Sequence, residues 1–346
     1  MAASIEDVAR RAGVSIATVS RALRGLPDVA SATRDRVLEA AHELNYVASP
    51  FAARLASGRT ATVGVVVPFV NRWFFAEVIG TVETALRQAG FDLLLYNLGD
   101  EAGRARFFDR MPMRKRVDAV LVASLVLSDE EIDALTALDC PVGLLGFVRA
   151  GFLSTRIDDI TSARTATAHL AELGHRRIGL IGGDTDDPMR FTPPLHRQDG
   201  YHDALEAVGA EVDPALEILG YFTIEGGEQA CERLLDLPNP PTAIFAESDE
   251  MAYGALKTLR RRGLRVPADV AVIGFDDQPT ADLLDLSTMR QPVAEQALDI
   301  ATRLLAALGG GSSAGQQVED VVLPTELVVR GSTDPSRSVF GEVAPC

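Results

Sequence analysis

The stretch Ser4-Ile5-Glu6-Asp7-Val8-Ala9-Arg10-Arg11-Ala12-Gly13-Val14-Ser15-Ile16-Ala17-Thr18-Val19-Ser20-Arg21-Ala22-Leu23 decides how this 346-residue chain begins. It predicts two short helices around a tight turn. Ser4 is placed to cap the first, with Asp7 at the capping-box spacing. Ile5, Val8, Ala9 and Ala12 share one face at i, i+3, i+4 and i+7. Gly13 stands where the chain must turn, because glycine takes a left-handed backbone without steric cost. Ser15 can cap the second helix, whose inward residues are Val19, Ala22 and Leu23. The offsets from Ala9 to Gly13 to Val19 let two helices cross closely, as in helix-turn-helix units. A plain helical hairpin at the edge of a larger fold is the alternative.

A third helix is predicted from Ser31, as its cap, with Val37, Ala41 and Leu44 facing inward. Beyond Asn45-Tyr46, the run Ser49-Pro50-Phe51-Ala52-Ala53-Arg54-Leu55-Ala56-Ser57-Gly58 opens with serine and proline and closes on glycine, the punctuation of one more helix. At under three turns that helix is unstable alone in water. Its order must come from elsewhere, and DNA plus a second copy of the chain is one candidate.

The formal charge is −16, which at first argues against a nucleic-acid partner. Residues 1–60 nevertheless hold eight arginines against six carboxylates, a net of +2, so the remainder carries −18. Screening confines the repulsion of an acidic body to roughly 8–10 Å, so a mildly basic head can still dock on DNA. The three cysteines, 140, 231 and 346, have neither disulfide-framework nor zinc spacing. The chain shows no signal peptide and no apolar run near the ~20 residues of a membrane span. A cytoplasmic protein, away from membranes, is expected.

From Ala61 the pattern becomes alternating strands and helices. Strands are predicted at 63–67, 91–96, 117–122, 142–145, 177–181, 242–245 and 270–275. Helices are predicted at 74–89, 101–110, 129–138, 197–208, 226–236 and 249–262. Short β-rich runs separated by helices indicate parallel sheets covered on both faces, here in two lobes. Gly179-Leu180-Ile181-Gly182-Gly183 lacks the spacing of a phosphate loop and reads as a turn. His169, His175, His196 and His202 lack metal-ligand spacing, so no metal is expected. Asp158-Asp159 and Asp276-Asp277 come with no nucleophile or convergent acid-base set.

Taken together, the chain resembles the lac-repressor/galactose-repressor family of bacterial transcription regulators. The matching pieces are Ile5–Ala9, Ala12–Ser15, Ala17–Leu23, Thr33–Leu38 and Leu55–Thr60, then His169–Ile178, Gly274–Asp277, Arg290–Pro292 and Pro324–Ser332. The resemblance implies an N-terminal all-α helix-turn-helix domain plus an α/β two-lobed effector domain of the periplasmic-binding-protein type. It places the DNA-binding domain at 1–48, a hinge helix and linker at 49–60, and the effector and dimerisation domain at 61–332, with a disordered tail at 333–346. The first lobe would take about 61–156 and 290–320, the second about 157–287 and 322–332. The chain would cross between them near 155–158, 286–290 and 320–325.

The resemblance also implies roles. Ile16, Ala17 and Arg21 would meet base edges in the major groove, with Arg21 able to grip a guanine. Ser15, Thr18, Ser20, Thr33, Arg34 and Tyr46 would contact phosphates and set register. Leu55, with Ala52, would enter the minor groove and bend the duplex. Arg72, Trp73, Phe74, Phe75, Phe147, Arg197, Phe222, Ser248, Asp276 and Gln291 would line a site for a small, sugar-like effector. The chain departs from the family pattern at Ala48, where the hinge helix would start slightly differently, and at Arg72-Trp73, Gly146-Phe147 and Ser248, changes that suggest a more aromatic and less polar pocket than a monosaccharide needs. The function implied is a homodimeric, effector-controlled repressor on palindromic operator DNA, with no enzymatic activity and no cofactor. A secreted solute-binding protein would explain the lobes but leaves residues 1–60 without a purpose.

Overall fold

The structure, a computed structural model, describes residues 3–23, 28–46, 59–191, 193–309, 320–334 and 336. The predicted hinge helix with Ala52 and Leu55, most of the 309–315 connection, Cys346 and nearly all of the tail lie outside the described residues. The chain divides into two compact units, residues 1–62 with 115–118, and the remainder.

In the first unit, α1 (Ile5–Ala12), α2 (Ile16–Leu23) and α3 (Ser31–Glu43) enclose a small core of Val8, Ala9, Val19, Ala22, Val37 and Ala41. The capping box is present: the Asp7 N–H donates to Ser4 Oγ at 3.2 Å, and the Ser4 N–H donates to the Asp7 carboxylate at 3.0 Å. Gly13 ends α1 at φ +68°, where a side chain would be strained. The Thr18 N–H donates to Ser15 Oγ at 3.1 Å, which starts α2. Ser31 is not a cap. It is the first residue of α3, and Ala30 holds the cap position with no side-chain bond. The carbonyl of Ala30 accepts the Thr33 and Arg34 N–H groups instead. Farther along, Thr60 and Ala61 donate their N–H groups to the Asp118 carboxylate at 2.8 and 2.7 Å.

The second unit is built on two sheets. The first contains β1 (Thr62–Val67), β2 (Asp92–Asn97), β3 (Ala119–Ala123), β4 (Val142–Leu145) and β5 (Leu153–Arg156). The second contains β6 (Ile178–Gly182), β7 (Glu217–Leu219), β8 (Ala243–Ala246), β9 (Ala271–Asp276) and β10 (Ser287–Arg290). The chain then returns, adding β11 (Asp320–Val322) to the first sheet and β12 (Glu326–Val328) to the second. The two orders are equivalent, β2-β1-β3-β4-β5-β11 and β7-β6-β8-β9-β10-β12. β12 runs antiparallel to β10, and every other pair with a defined register is parallel. Because β10 belongs to the second sheet, the middle crossing comes at Gln291-Pro292, just after the 286–290 expected. The supposed turn at 179–183 is mostly strand β6, with only Gly183 beyond it.

Continuous apolar runs such as Val63-Gly64-Val65-Val66-Val67 are buried on both faces of a parallel sheet. The first sheet packs on α4 (Trp73–Gln88) and α12 (Val293–Leu308). Between these in sequence come α5 (Glu101–Arg110), α6 (Asp129–Thr136), α7 (Asp159–Glu172), α8 (Pro193–Ala207), α9 (Ile224–Leu235), α10 (Asp249–Arg261) and α11 (Pro279–Leu283). The second sheet has α7 and α8 on one face and α9 and α10 on the other. Among the described residues, no helix is long and apolar enough to cross a membrane.

Candidate functional site

Two surfaces could carry chemistry. On α2, Val19 and Ala22 face the head's core, which leaves Ile16, Ala17 and Arg21 exposed together on the opposite side. Ile16 keeps 46% of its surface open. The helix carries no acidic residue, so its N-terminal dipole end is free to meet an anion. Arg21 stands 3.7 Å from Asp28, with both side chains more than half exposed. Ser15 and Thr18 are engaged with each other, their hydroxyls 2.9 Å apart. Ser20, Thr33 and Arg34 are half-buried. Tyr46 lies against the head's core and is also half-buried.

The second surface is a cavity within the two-sheet unit. It follows from topology: in doubly wound sheets ligands sit beyond the carboxyl ends of the strands, where the order reverses. Ser124 follows β3, Gly146 follows β4, Ile157 and Asp159 follow β5, Ser248 and Glu250 follow β8, Asp276 ends β9 and Gln291 follows β10, and all of them line it. Arg72, Phe74 and Phe75 at the start of α4, Phe191, Pro193 and Arg197 around α8, Phe222, and Gln296 complete the wall.

Four phenylalanines form its apolar part. Phe191 sits edge-on to Phe222 at 5.2 Å and lies 6.1 Å from Phe75, while Phe74 and Phe75 meet edge-on at 5.2 Å. Gly183 makes room for Phe222, since a Cβ there would come within 2.2 Å of its ring. The guanidinium of Arg72 lies 4.0 Å above the Phe69 ring.

The polar part is tightly bonded. Arg197 donates Nε to the Asp159 carboxylate at 2.8 Å and Nη1 to the Glu247 carbonyl, and stacks 3.6 Å over the Phe275 ring. Gln291 donates to Asp276 at 2.5 Å, and Gln296 donates to Gln291 at 3.4 Å. Asp276 holds φ +117°, a conformation that persists only where the surroundings impose it. Burial pushes its carboxyl up to about 7, against the pull of Arg197 and Gln291. Burial also raises Glu250, opposed by the Trp73 N–H at 3.4 Å and by the Arg72 charge. Burial lowers Arg72. Just outside the cavity, burial lifts Glu247 to about 8, although Gly183 donates to it at 2.8 Å.

Eight of the ten effector residues expected from the sequence line this cavity. Trp73 does not: it packs on the first sheet's core, and only its backbone reaches Glu250. Phe147 does not either. It is buried elsewhere, and Gly146 before it takes the lining position. The lining combines four phenylalanines with nine polar or charged residues among its sixteen. Ser124, Asp159, Glu250 and Gln296 were missed, although their places just past strand ends or on helix starts are where such topologies present ligand groups. Phe191 had no signal; it lies in a long connection between β6 and α8. Among the described residues no group of three or more metal-ligating side chains occurs.

A three-helix head of helix-turn-helix form and, in the other unit, a two-sheet α/β body with a cavity past its strand ends define a DNA-binding protein controlled by a small ligand. The description "Bacterial regulatory proteins, lacI family" matches residues 4–49, and "Periplasmic binding protein-like domain" matches 167–333. The transcriptional repressor CytR of Escherichia coli (strain K12) is 36% identical over 337 residues, 96% of each chain. Catabolite control protein A of Priestia megaterium is 32% identical over 337 residues, 96% of this chain and all of that one. Among solved structures, the lac repressor dimer bound to operator and the anti-inducer ONPF covers 96% of this chain and 99% of its own at 26% identity and a TM-score of 0.82. A transcriptional regulator CelR–cellobiose complex covers 95% and 99% at 34% identity and a TM-score of 0.69. The chain belongs to the lacI family of bacterial regulatory proteins. It is a DNA-binding transcriptional regulator under effector control, neither an enzyme nor a transport binding protein.

Proposed function

We propose that the chain acts as a cytoplasmic homodimer on a near-palindromic operator, with α2 of each head in one major groove. The exposed Ile16-Ala17-Arg21 face, free of acidic neighbours on its helix, is the observation that carries this reading. Arg21 would read a guanine, and Ile16 and Ala17 would fit thymine methyl groups. Ser15, Thr18, Ser20, Thr33, Arg34 and Tyr46 would hold phosphates, the half-buried ones through the edge left open. Residues 49–60 would form the hinge, with Leu55 and Ala52 in the minor groove at the operator centre. The cavity would take a carbohydrate or similar polyhydroxylated compound, its faces against phenylalanine rings and its hydroxyls on Asp276, Gln291, Ser248 and Arg72.

Sedimentation of the chain with its own upstream DNA tests the assembly. Two chains per operator are expected, and one chain on a half-site would sink the dimer. Leu55→Ala should weaken specific binding and operator bending while leaving weak non-specific binding near normal. A uniform loss on every sequence would remove Leu55 from the minor groove.

A further inference from the structure

Arg104, on α5, lies outside the cavity and is almost completely buried. A buried guanidinium is costly unless its charge and donors are matched. Nε and Nη2 donate to the two oxygens of Glu131 at 2.8 and 2.7 Å, and Ser128 donates its N–H to the same carboxylate at 2.8 Å. Nη2 also donates to the Val126 carbonyl and Nη1 to the Met189 carbonyl, so four of its five N–H groups have partners and the charge is matched by Glu131.

Met189 belongs to the segment 184–191, which leaves β6 of the second sheet and leads into α8. It is thus bonded to groups from the first sheet's layer. The next residue is bonded there too, since the Val126 N–H donates to the Arg190 carbonyl at 3.0 Å. Arg190 is held at φ +51°, in the left-handed region. The residue after that is Phe191, against Phe222 and Phe75 in the cavity wall. Two consecutive carbonyls fixed by the first sheet's side therefore set where Phe191 enters.

We propose that Arg104 is a positioning residue for the effector cavity: it clamps the 184–191 segment to the first sheet's layer and so seats Phe191 between Phe75 and Phe222. Only a forked guanidinium can serve Glu131 and both carbonyls at once, so lysine is not an equivalent. The inference rests on the cavity being the effector site.

The test uses the full chain with two variants, Arg104→Lys and the double variant Arg104→Met/Glu131→Gln, which leaves no buried charge unpaired. Hydrogen exchange without ligand should quicken about tenfold at Val126 and across 187–191, with β3 and α5 unchanged. Unchanged exchange in that segment, or loss spread over the whole first sheet, overturns the proposal. A thermal-shift panel of cellobiose, hexoses and nucleosides supplies the second arm. Compounds that bind the wild type should bind Arg104→Lys about tenfold more weakly, with operator affinity in their absence equal. A loosened segment with unaltered compound affinity also overturns it. If nothing in the panel binds the wild type, the effector reading is what fails, and exchange alone decides the clamp.

Discussion

Arg21 illustrates how little a recognition side chain contributes to its own fold. Its ion pair with Asp28 is long and exposed, so it contributes little to stability. Arg21→Ala should therefore leave the melting temperature unchanged, lower specific operator affinity by ~1–3 kcal/mol and relax the preference at one base pair per half-site. Binding titrations on single-base operator variants check it; an equal loss on all sequences would make Arg21 a phosphate contact. Glu247 makes the opposite case, a carboxyl deep inside whose burial outweighs its bond from Gly183. Unfolded it titrates near 4.5, folded at about 8. The native state thus holds a proton that the unfolded chain lacks across that window. Its stabilising effect is complete below about 4.5 and is lost as pH rises through about 8. Glu247→Gln keeps an acceptor for Gly183 but cannot ionise. Its melting temperature relative to wild type should rise from pH 5 to pH 8.5 in calorimetry, and a constant difference would refute the buried-acid account.

At the scale of elements, the turn between α1 and α2 depends on backbone freedom rather than packing. A Cβ at Gly13 would meet nothing within 4 Å, so the whole cost of Gly13→Ala comes from φ +68°. That cost is about 1 kcal/mol. Circular dichroism melts of a head fragment and of the full chain should show the head destabilised and the two-sheet unit untouched. An unchanged head would mean the turn can relax. The strand ends follow a different logic: each contributes a polar group at a fixed place, so Asp276, Ser248 and Gln291 converge although they lie far apart in sequence.

For the molecule as a whole, regulation requires the cavity to favour one arrangement of the two sheets. Arg72 and the Trp73 N–H, from the first sheet's layer, reach the Tyr221 carbonyl and Glu250 of the second, and Gln296 reaches Gln291. A ligand that prefers one arrangement tenfold transfers at most ~1.4 kcal/mol to DNA affinity, so hundredfold control needs about twice that. Asp276→Asn should keep operator affinity near normal and abolish the response to the metabolite found by screening. Arg197→Ala is a poorer probe, because it strands Asp159 buried without its partner. Operator titrations with and without the metabolite read the result, and an intact response would remove Asp276 from the site.

The local sequence of residues 4–23 already determined the head: cap, apolar spacing and glycine are short-range features, and the exposed face of α2 follows from helical periodicity alone. Strand runs such as 142–145 were equally legible, because burial on both faces of a parallel sheet demands continuous apolar runs. β5, α7, α11, β10 and α12 went unpredicted, since their mixed, short or small-residue patterns acquire meaning only against neighbours already in place. The cavity divides in the same way. Phe74, Phe75, Phe222 and Asp276 could be placed by resemblance, but Phe147 and Trp73 could not be excluded from sequence. Which side of the chain faces a cavity depends on which strand lies alongside. Phe191, Arg104 and Glu247 owe their environments entirely to tertiary structure, because burial, and with it the cost of a charge or the seat of a ring, is set by residues a long way off in the chain.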